Sequence, residues 1–149
     1  MIEVLIIYGG DSVESEISAQ SANGILKNID QSKFTPSLIN VKDLKIDSIK
    51  KDAVVFIAVH GSGGEDGETQ KLLAANGIKF TGSDASSARL CWDKISSKAL
   101  MEKNKIPTPP YEVIKKDEKF DLNGQFFLSR ENFFVKPNSN GSSFGVSKV

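Results

Sequence analysis

Ile2 to Tyr8 is a nearly continuous apolar run, the pattern of a parallel strand buried on both faces. Gly9-Gly10-Asp11-Ser12 ends it with turn residues. Ile17, Ala22, Ile25, Leu26 and Ile29 then recur on one side of a helix. Phe34–Val41 predicts a second strand and Ala53–Val59 a third, which His60-Gly61-Ser62-Gly63-Gly64 breaks. A short helix is expected from about Asp66 to Asn76, with Leu72 and Leu73 inward and Gly77 as its C-terminal cap. Lys79-Phe80-Thr81 is a brief strand, and Ser83 or Asp84 caps the next helix. Strands alternating with helices predict an open α/β domain, a Rossmann-like parallel sheet with right-handed crossovers. Ligands of such sheets bind beyond the carboxyl ends of the strands, where the breaks at Gly9 and Gly61 fall.

From Asp93 the pattern changes. Asp93–Asn104 is helical, with Ile95, Ala99 and Leu100 apolar and Lys94 and Lys98 four apart, as solvated cations on one face would be. Pro107, Pro109 and Pro110 stop it, and Tyr111–Ile114 reads as a strand. Lys115–Glu131 is too poorly periodic to predict an element. Phe133-Phe134-Val135 forms a strand that delivers Lys136 to a loop of small polar residues and glycines, and a second extended run starts at Phe144. There is no internal repeat, and a boundary near Trp92 gives two domains, 1–92 and 93–149.

Charge and cysteine content narrow the function. Lys plus Arg equals Asp plus Glu at 19 each, so no net field draws the chain to nucleic acid or an acidic membrane. Cys91 is alone, which suits a reducing compartment. No basic stretch precedes Ile2-Glu3-Val4-Leu5, so no signal peptide is expected. The longest apolar run, Ala53–Val59, is far below the ~18 residues of a membrane helix. A cytoplasmic chain is expected.

Few residues stand out chemically. Glu14 and Glu16 sit where a helix begins, and Asp11-x-x-Glu14 matches a capping pattern; a carboxylate there equally suits a ligand ammonium group. His60, the single histidine, lacks the Cys and His partners of a zinc site, and no G-x-S-x-G elbow accompanies it. It is either a polarising, hydrogen-bonding group or a structural one. Neither a dinucleotide G-x-G-x-x-G after the first strand nor a P-loop is present. Lys136 and the loop Asn138–Gly145 fit a phosphate-covering flap, whose backbone N–H groups and cation hold an anion, or a plain hairpin with a glycine tip. Phe144 at that tip is costly to expose unless it covers something apolar.

The order of these pieces is more specific than any one of them. Tyr8-Gly-Gly-Asp-Ser-Val-Glu-Ser-Glu-Ile-Ser18 and His60-Gly-Ser-Gly-Gly-Glu-Asp-Gly-Glu-Thr-Gln70 closely resemble the first two signatures of D-alanine–D-alanine ligases. Thr81-Gly-Ser83, Asp93-Lys94, Ile106-Pro-Thr-Pro-Pro110 and Val135-Lys-Pro137 through Gly141–Val149 continue the match in the family's order. The resemblance implies a pre-ATP-grasp N-terminal domain followed by the beginning of an ATP-grasp α+β domain. It also implies ligation of two D-alanines through an acylphosphate for peptidoglycan, with ATP and Mg2+ or Mn2+. Carried across by position, Glu14 holds the ammonium of the first D-alanine, and His60 lies near that substrate's carboxylate. Lys94 and Lys136 meet the ATP phosphates. Ser142 lies near the second D-alanine and the reaction centre, and Ser143 offers a backbone N–H to phosphate. A homodimer through the first domain is implied too. Members of the family continue for about as long again, with the metal ligands and adenine pocket in that part. These residues are therefore expected to be the front portion of a ligase, inactive alone. A D-alanine–D-lactate or D-serine ligase, a non-catalytic binding or dimerisation module, and, lowest, a nicotinamide-binding domain are the alternatives.

Overall fold

The computed structural model of the chain describes residues 1–119, 124, 126, 129 and 132–149. By its internal contacts the chain divides into two compact units, Met1–Trp92 and Asp93–Val149.

The first unit is a parallel sheet of four strands in the order β2-β1-β3-β4, from Phe34–Asn40, Ile2–Tyr8, Val54–Ile57 and Lys79–Phe80. Helices α1 (Ser15–Asn28), α2 (Glu68–Ala75) and α3 (Ala85–Trp92) complete it. The continuous apolar run of β1 is explained by burial on both faces. Val4 and Ile6 pack with Ala22, Ile25 and Leu26 of α1 and with Ile29 just after it, while Ile7 packs with Val55, Val59, Leu73 and Ile78 on the other side. That second face is also covered by Leu44, Ile46 and Ile49, from two short 3-10 turns linking β2 to β3. Pro36 pairs with Val4 in β2, an edge strand where a missing N–H is tolerated.

The helix boundaries show which local signals operate. Asp84 caps α3: its carboxylate accepts from Ser87 N at 2.8 Å and Ser86 Oγ at 2.7 Å. Its serine partners, Ser86 first, hold that carboxyl below the usual range. The Asp11-x-x-Glu14 capping pattern does not operate. Glu14 occupies the N-cap of α1 without a side-chain capping bond, and Asp11 pairs with Lys42 at 2.5 Å instead. Of the two leucines expected inward on α2, Leu73 is fully buried and Leu72 is 48% exposed. Successive helix positions are ~100° apart, and on α2 Leu73 points into the core while that rotation turns Leu72 toward solvent. Ile17 departs from the apolar side of α1 in the same way and is exposed.

In the second unit α4 (Lys94–Lys103) precedes an antiparallel pair, β5 (Phe134–Val135) and β6 (Ser147–Lys148). The strand expected over Tyr111–Ile114 does not form. Lys98 holds this segment instead: Nζ donates to Thr108 Oγ1 at 2.7 Å and Pro109 O at 3.0 Å, and lies 4.8 Å from the Tyr111 ring centroid. Pro109 and Pro110 supply no N–H for a ladder, and Val113 and Ile114 stay exposed. The extended run expected from Phe144 starts only at Ser147. Turn bonds Phe144 N–Gly141 O and Val146 N–Ser143 O intervene, at 3.0 and 3.1 Å. Much of the unpredicted stretch Lys115–Glu131 lies outside the described residues.

Ile7 is fully buried and Ile2 is half exposed. Ile7→Ala is expected to cost about 2–5 kcal/mol in urea unfolding, against less than ~0.5 kcal/mol for Ile2→Ala. Equal shifts of the two unfolding midpoints would contradict a β1 packed on both faces.

Candidate functional site

At the carboxyl edge of the sheet, β1 passes to one neighbour and β3 to the other, which makes the crevice between them a topological switch point. Ser18, fully buried on α1, ties the two strand ends together. Its hydroxyl accepts from Gly9 N at 2.8 Å and donates to Ala58 O at 2.7 Å. Ser12, in the loop before α1, makes a similar bridge, donating to His60 O at 2.8 Å and accepting from Glu14 N at 3.2 Å. Two residues 46 positions apart, Glu14 and His60, are thus joined through one serine.

Glu14 is 2% exposed, a carboxylate held inside the fold at the head of α1. Gly61 makes room for it: a Cβ there would lie 2.7 Å from Glu14 Oε2, and its φ of +73° is left-handed. Taking a carboxylate out of water is expensive unless partners compensate, so burial marks Glu14 as more than a helix-end acid. Glu16, the neighbouring candidate, is exposed.

His60 is half-buried, with Ser21 Oγ 3.0 Å from Nε2 and Glu65 Oε1 3.5 Å from Nδ1. The turn carrying Glu65 is fixed from within. Asp66 accepts from Gly63 N at 2.7 Å and Ser62 Oγ at 3.1 Å. Thr69 Oγ1 donates to Gly63 O, and Gln70 Nε2 donates to Gly64 O at 2.6 Å. Beside these residues a cavity of about 430 Å³ is lined by Gly10, Asp11, Ser12, Val41, Lys42, Val59, Ser62 and Gly63.

The second unit carries the other candidates. Asp93 and Asn138 together satisfy the first three N–H groups of α4. Asp93 Oδ1 accepts from Ser96 N at 2.7 Å, and Asn138 accepts from Lys94 N (3.1 Å, at its O) and Ile95 N (3.0 Å, at its Oδ1). Asn138 Nδ2 closes the set on Asp93 Oδ2 at 2.5 Å. Lys94 is not the solvated cation its helical spacing suggests: Nζ donates to Asn140 O at 2.6 Å and Asn138 O at 3.3 Å. An ammonium has three donors, and these carbonyls take two. Lys136 is exposed at the end of β5, and Ser142 and Ser143 are exposed in the loop. Ser142 (φ +45°) and Ser143 (φ +61°) are both left-handed, a conformation that costs a non-glycine residue roughly 1–3 kcal/mol. Gly145 lets the loop close, because a Cβ there would lie 2.7 Å from Pro137 Cγ. Phe144 is 40% exposed.

Sequence reasoning missed Ser12, Ser18, Ser21, Glu65, Asn138 and Asn140. Serines and asparagines are ordinary helix and loop residues, and their partners lie 39 to 48 positions away. Among the described residues, no group of three or more His, Cys, Asp or Glu could hold a metal ion.

No family model matches the chain. It is 36% identical over 146 residues to the D-alanine–D-alanine ligase of Methylacidiphilum infernorum, covering 98% of this chain and 46% of that protein. The D-alanine–D-alanine ligase A of Clostridium perfringens is 33% identical, covering 99% and 50%. Among solved structures, the Bacillus anthracis D-alanine–D-alanine ligase aligns with a TM-score of 0.86 at 34% identity, covering 100% of this chain and 49% of that one. The same enzyme complexed with ATP aligns at 0.83 and 32% identity, covering 100% and 50%. The chain resembles the N-terminal portion of these ligases, whose N-terminal domain its parallel sheet matches, and spans about half the length of the curated relatives.

Ser18→Ala would leave Gly9 N–H and Ala58 C=O buried without their shared partner. It is expected to cost about 1–3 kcal/mol in chemical unfolding. Asn138→Ala, which removes the Oδ1 acceptor of Ile95 N but keeps the backbone carbonyl that Lys94 N uses, should speed amide exchange at Ile95 while leaving β1 protected. Unchanged exchange there would remove Asn138 from its capping role.

Proposed function

We propose that this chain is the N-terminal portion of a D-alanine–D-alanine ligase. The observation carrying the proposal is the match to such ligases over 98–99% of the chain. Residues 1–92 then form the substrate-binding α/β domain and residues 93–149 the first part of an ATP-grasp domain. The ligase joins two D-alanines for peptidoglycan in the cytoplasm, as a homodimer contacting through its first domain.

In this reading ATP phosphorylates the carboxylate of the first D-alanine. The amine of the second attacks the acylphosphate carbonyl, and phosphate leaves. Activation is needed because a free carboxylate is a poor electrophile, and cations and N–H donors stabilise the charge that develops. Glu14 receives the ammonium of the first D-alanine: its buried carboxylate gains an opposite charge on binding, which offsets desolvation. His60, joined to Glu14 through Ser12, meets that substrate's carboxylate. Lys94 and Lys136 meet the ATP phosphates, Lys94 with the donor left over from Asn138 and Asn140. Ser142 stands near the second D-alanine and the reaction centre. The strained Ser142–Ser143 backbone supports this reading, since backbone strain gathers in phosphate-binding turns. Phe144 at the tip of such a flap would exclude water and protect the acylphosphate from hydrolysis.

Magnesium does not fit the described residues, which gather no metal-ligating group. Its ligands in this reading come from the half of the relatives' length that this chain does not span.

In the full-length protein, ADP release should require D-alanine and magnesium together. Release that ignores D-alanine would overturn the ligase reading. Glu14→Gln is expected to lower D-alanine-dependent turnover at least ~30-fold while ATP binding is retained. Undiminished turnover would take the ammonium-binding role from Glu14.

A further inference from the structure

The His60 ring lies between two partners of different hydrogen-bonding character. Ser21 Oγ is 3.0 Å from Nε2, and Glu65 Oε1 is 3.5 Å from Nδ1. An ionised carboxylate only accepts, so the nitrogen facing it must carry the hydrogen. A serine hydroxyl donates or accepts and takes whichever part the ring leaves. We infer that Glu65 selects the Nδ1–H tautomer of neutral His60 and that Ser21 donates to Nε2. Both are positioning residues that give the imidazole one orientation and one polarity.

The opposite tautomer would set the Nδ1 lone pair against the Glu65 carboxylate, two acceptors facing each other with no hydrogen between them. Ser21 could follow that change at no loss, so the choice falls to Glu65. The two partners come from separate elements, Ser21 from α1 and Glu65 from the turn after β3. A helix serine commonly bonds back to the carbonyl four residues earlier. Ser21 instead reaches across 39 positions to the ring. The turn holding Glu65 is anchored by Glu65 N–Gly61 O at 2.9 Å and by the Asp66, Thr69 and Gln70 bonds above. The arrangement is therefore built from outside the histidine.

The consequence is chemical. With Nε2 occupied by the Ser21 hydroxyl, His60 offers an incoming group a hydrogen at Nδ1 and no lone pair. An acceptor such as a ligand carboxylate can take that hydrogen by displacing Glu65, whereas a group needing a proton acceptor finds none. His60 is in this respect a donor and not a general base. That consequence for ligand binding rests on the ligase reading of His60; the tautomer itself does not.

Because His60 is the single histidine, long-range ¹H–¹⁵N spectra of the labelled chain show one imidazole. With the ring neutral, Nδ1 is expected to be pyrrole-type and Nε2 pyridine-type. Glu65→Gln, whose amide both donates and accepts, should reduce the Nδ1–H preference roughly fivefold, the scale of an exposed ionic contact. Ser21→Ala should move the Nε2 shift to that of a pyridine-type nitrogen without a donor, and Ser21→Thr should restore it. A wild-type ring in the Nε2–H form, or a preference unmoved by Glu65→Gln, overturns the assignment to Glu65. An Nε2 shift unmoved by Ser21→Ala overturns that to Ser21. Failure of the ligase reading would appear separately, as ADP release independent of D-alanine, with these spectra unchanged.

Discussion

Two hydrogen bonds to the hydroxyl of Ser18 set the distance between the ends of β1 and β3. Both strands are held laterally by their ladder, but a ladder ends where the strands end. Beyond Ile57 one more backbone bond, Ala58 N to Ile7 O at 2.9 Å, still joins them, but Gly9 N–H and Ala58 C=O would go unpaired inside the fold without a side chain to take them. Ser18 takes one of each. It arrives from α1, whose other inward residues pack on β1, so helix packing and strand spacing are coupled through one residue. Everything at the carboxyl edge depends on that spacing. Ser12 can span from Glu14 to His60, and Gly61 can lie against the Glu14 carboxylate, only while the two strand ends stay together.

A different device organises the second unit. Its sheet is two residues wide per strand, too small to be independently stable. The loop after β5 is instead fastened to the head of α4 by Asp93 and Asn138, with Lys94 reaching to Asn140. Helix capping and loop placement are one interaction there. The same loop carries two serines in left-handed conformation, so anchoring at Asn138 and Asn140 offsets strain at Ser142 and Ser143. Lys98 performs the equivalent task for the proline segment, with its ammonium on Thr108 and Pro109 and its charge over Tyr111.

The legible parts of the chain were those where one local rule decides the outcome. β1 was visible as a nearly continuous apolar run, β3 as an unbroken one, and β2 as the run Phe34–Val41, one residue longer than the strand Phe34–Asn40. Asp84 was one of two cap candidates, with Ser83, whereas Asp93, read as the first residue of a helix, is the cap of α4. The failures fell where neighbours outside the local window decide. Tyr111–Ile114 has strand-like residues, yet a strand needs a partner edge, and prolines and Lys98 hold the segment otherwise. Asp11 has the right spacing for a capping box but pairs with Lys42, and Leu72 has the right chemistry for a core but the wrong helical phase.

By itself the sequence determined the alternation of strands and helices, and with it an α/β sheet whose glycine breaks fall at the carboxyl ends. It also carried the ordered motifs around Glu14, His60, Lys94, Lys136, Ser142 and Ser143. Periodicity and turn chemistry are properties of a few consecutive residues, so no folding is needed to see them. Only the tertiary structure decided that Glu14 is buried, that Ser21 and Glu65 flank His60, and that Asn138 caps α4. Except for Glu65 and His60, those partners are separated by tens of residues. Burial and hydrogen-bond partnership are properties of position in space, and in this chain the space is set by Ser18 and Asn138, residues whose identity alone announces nothing.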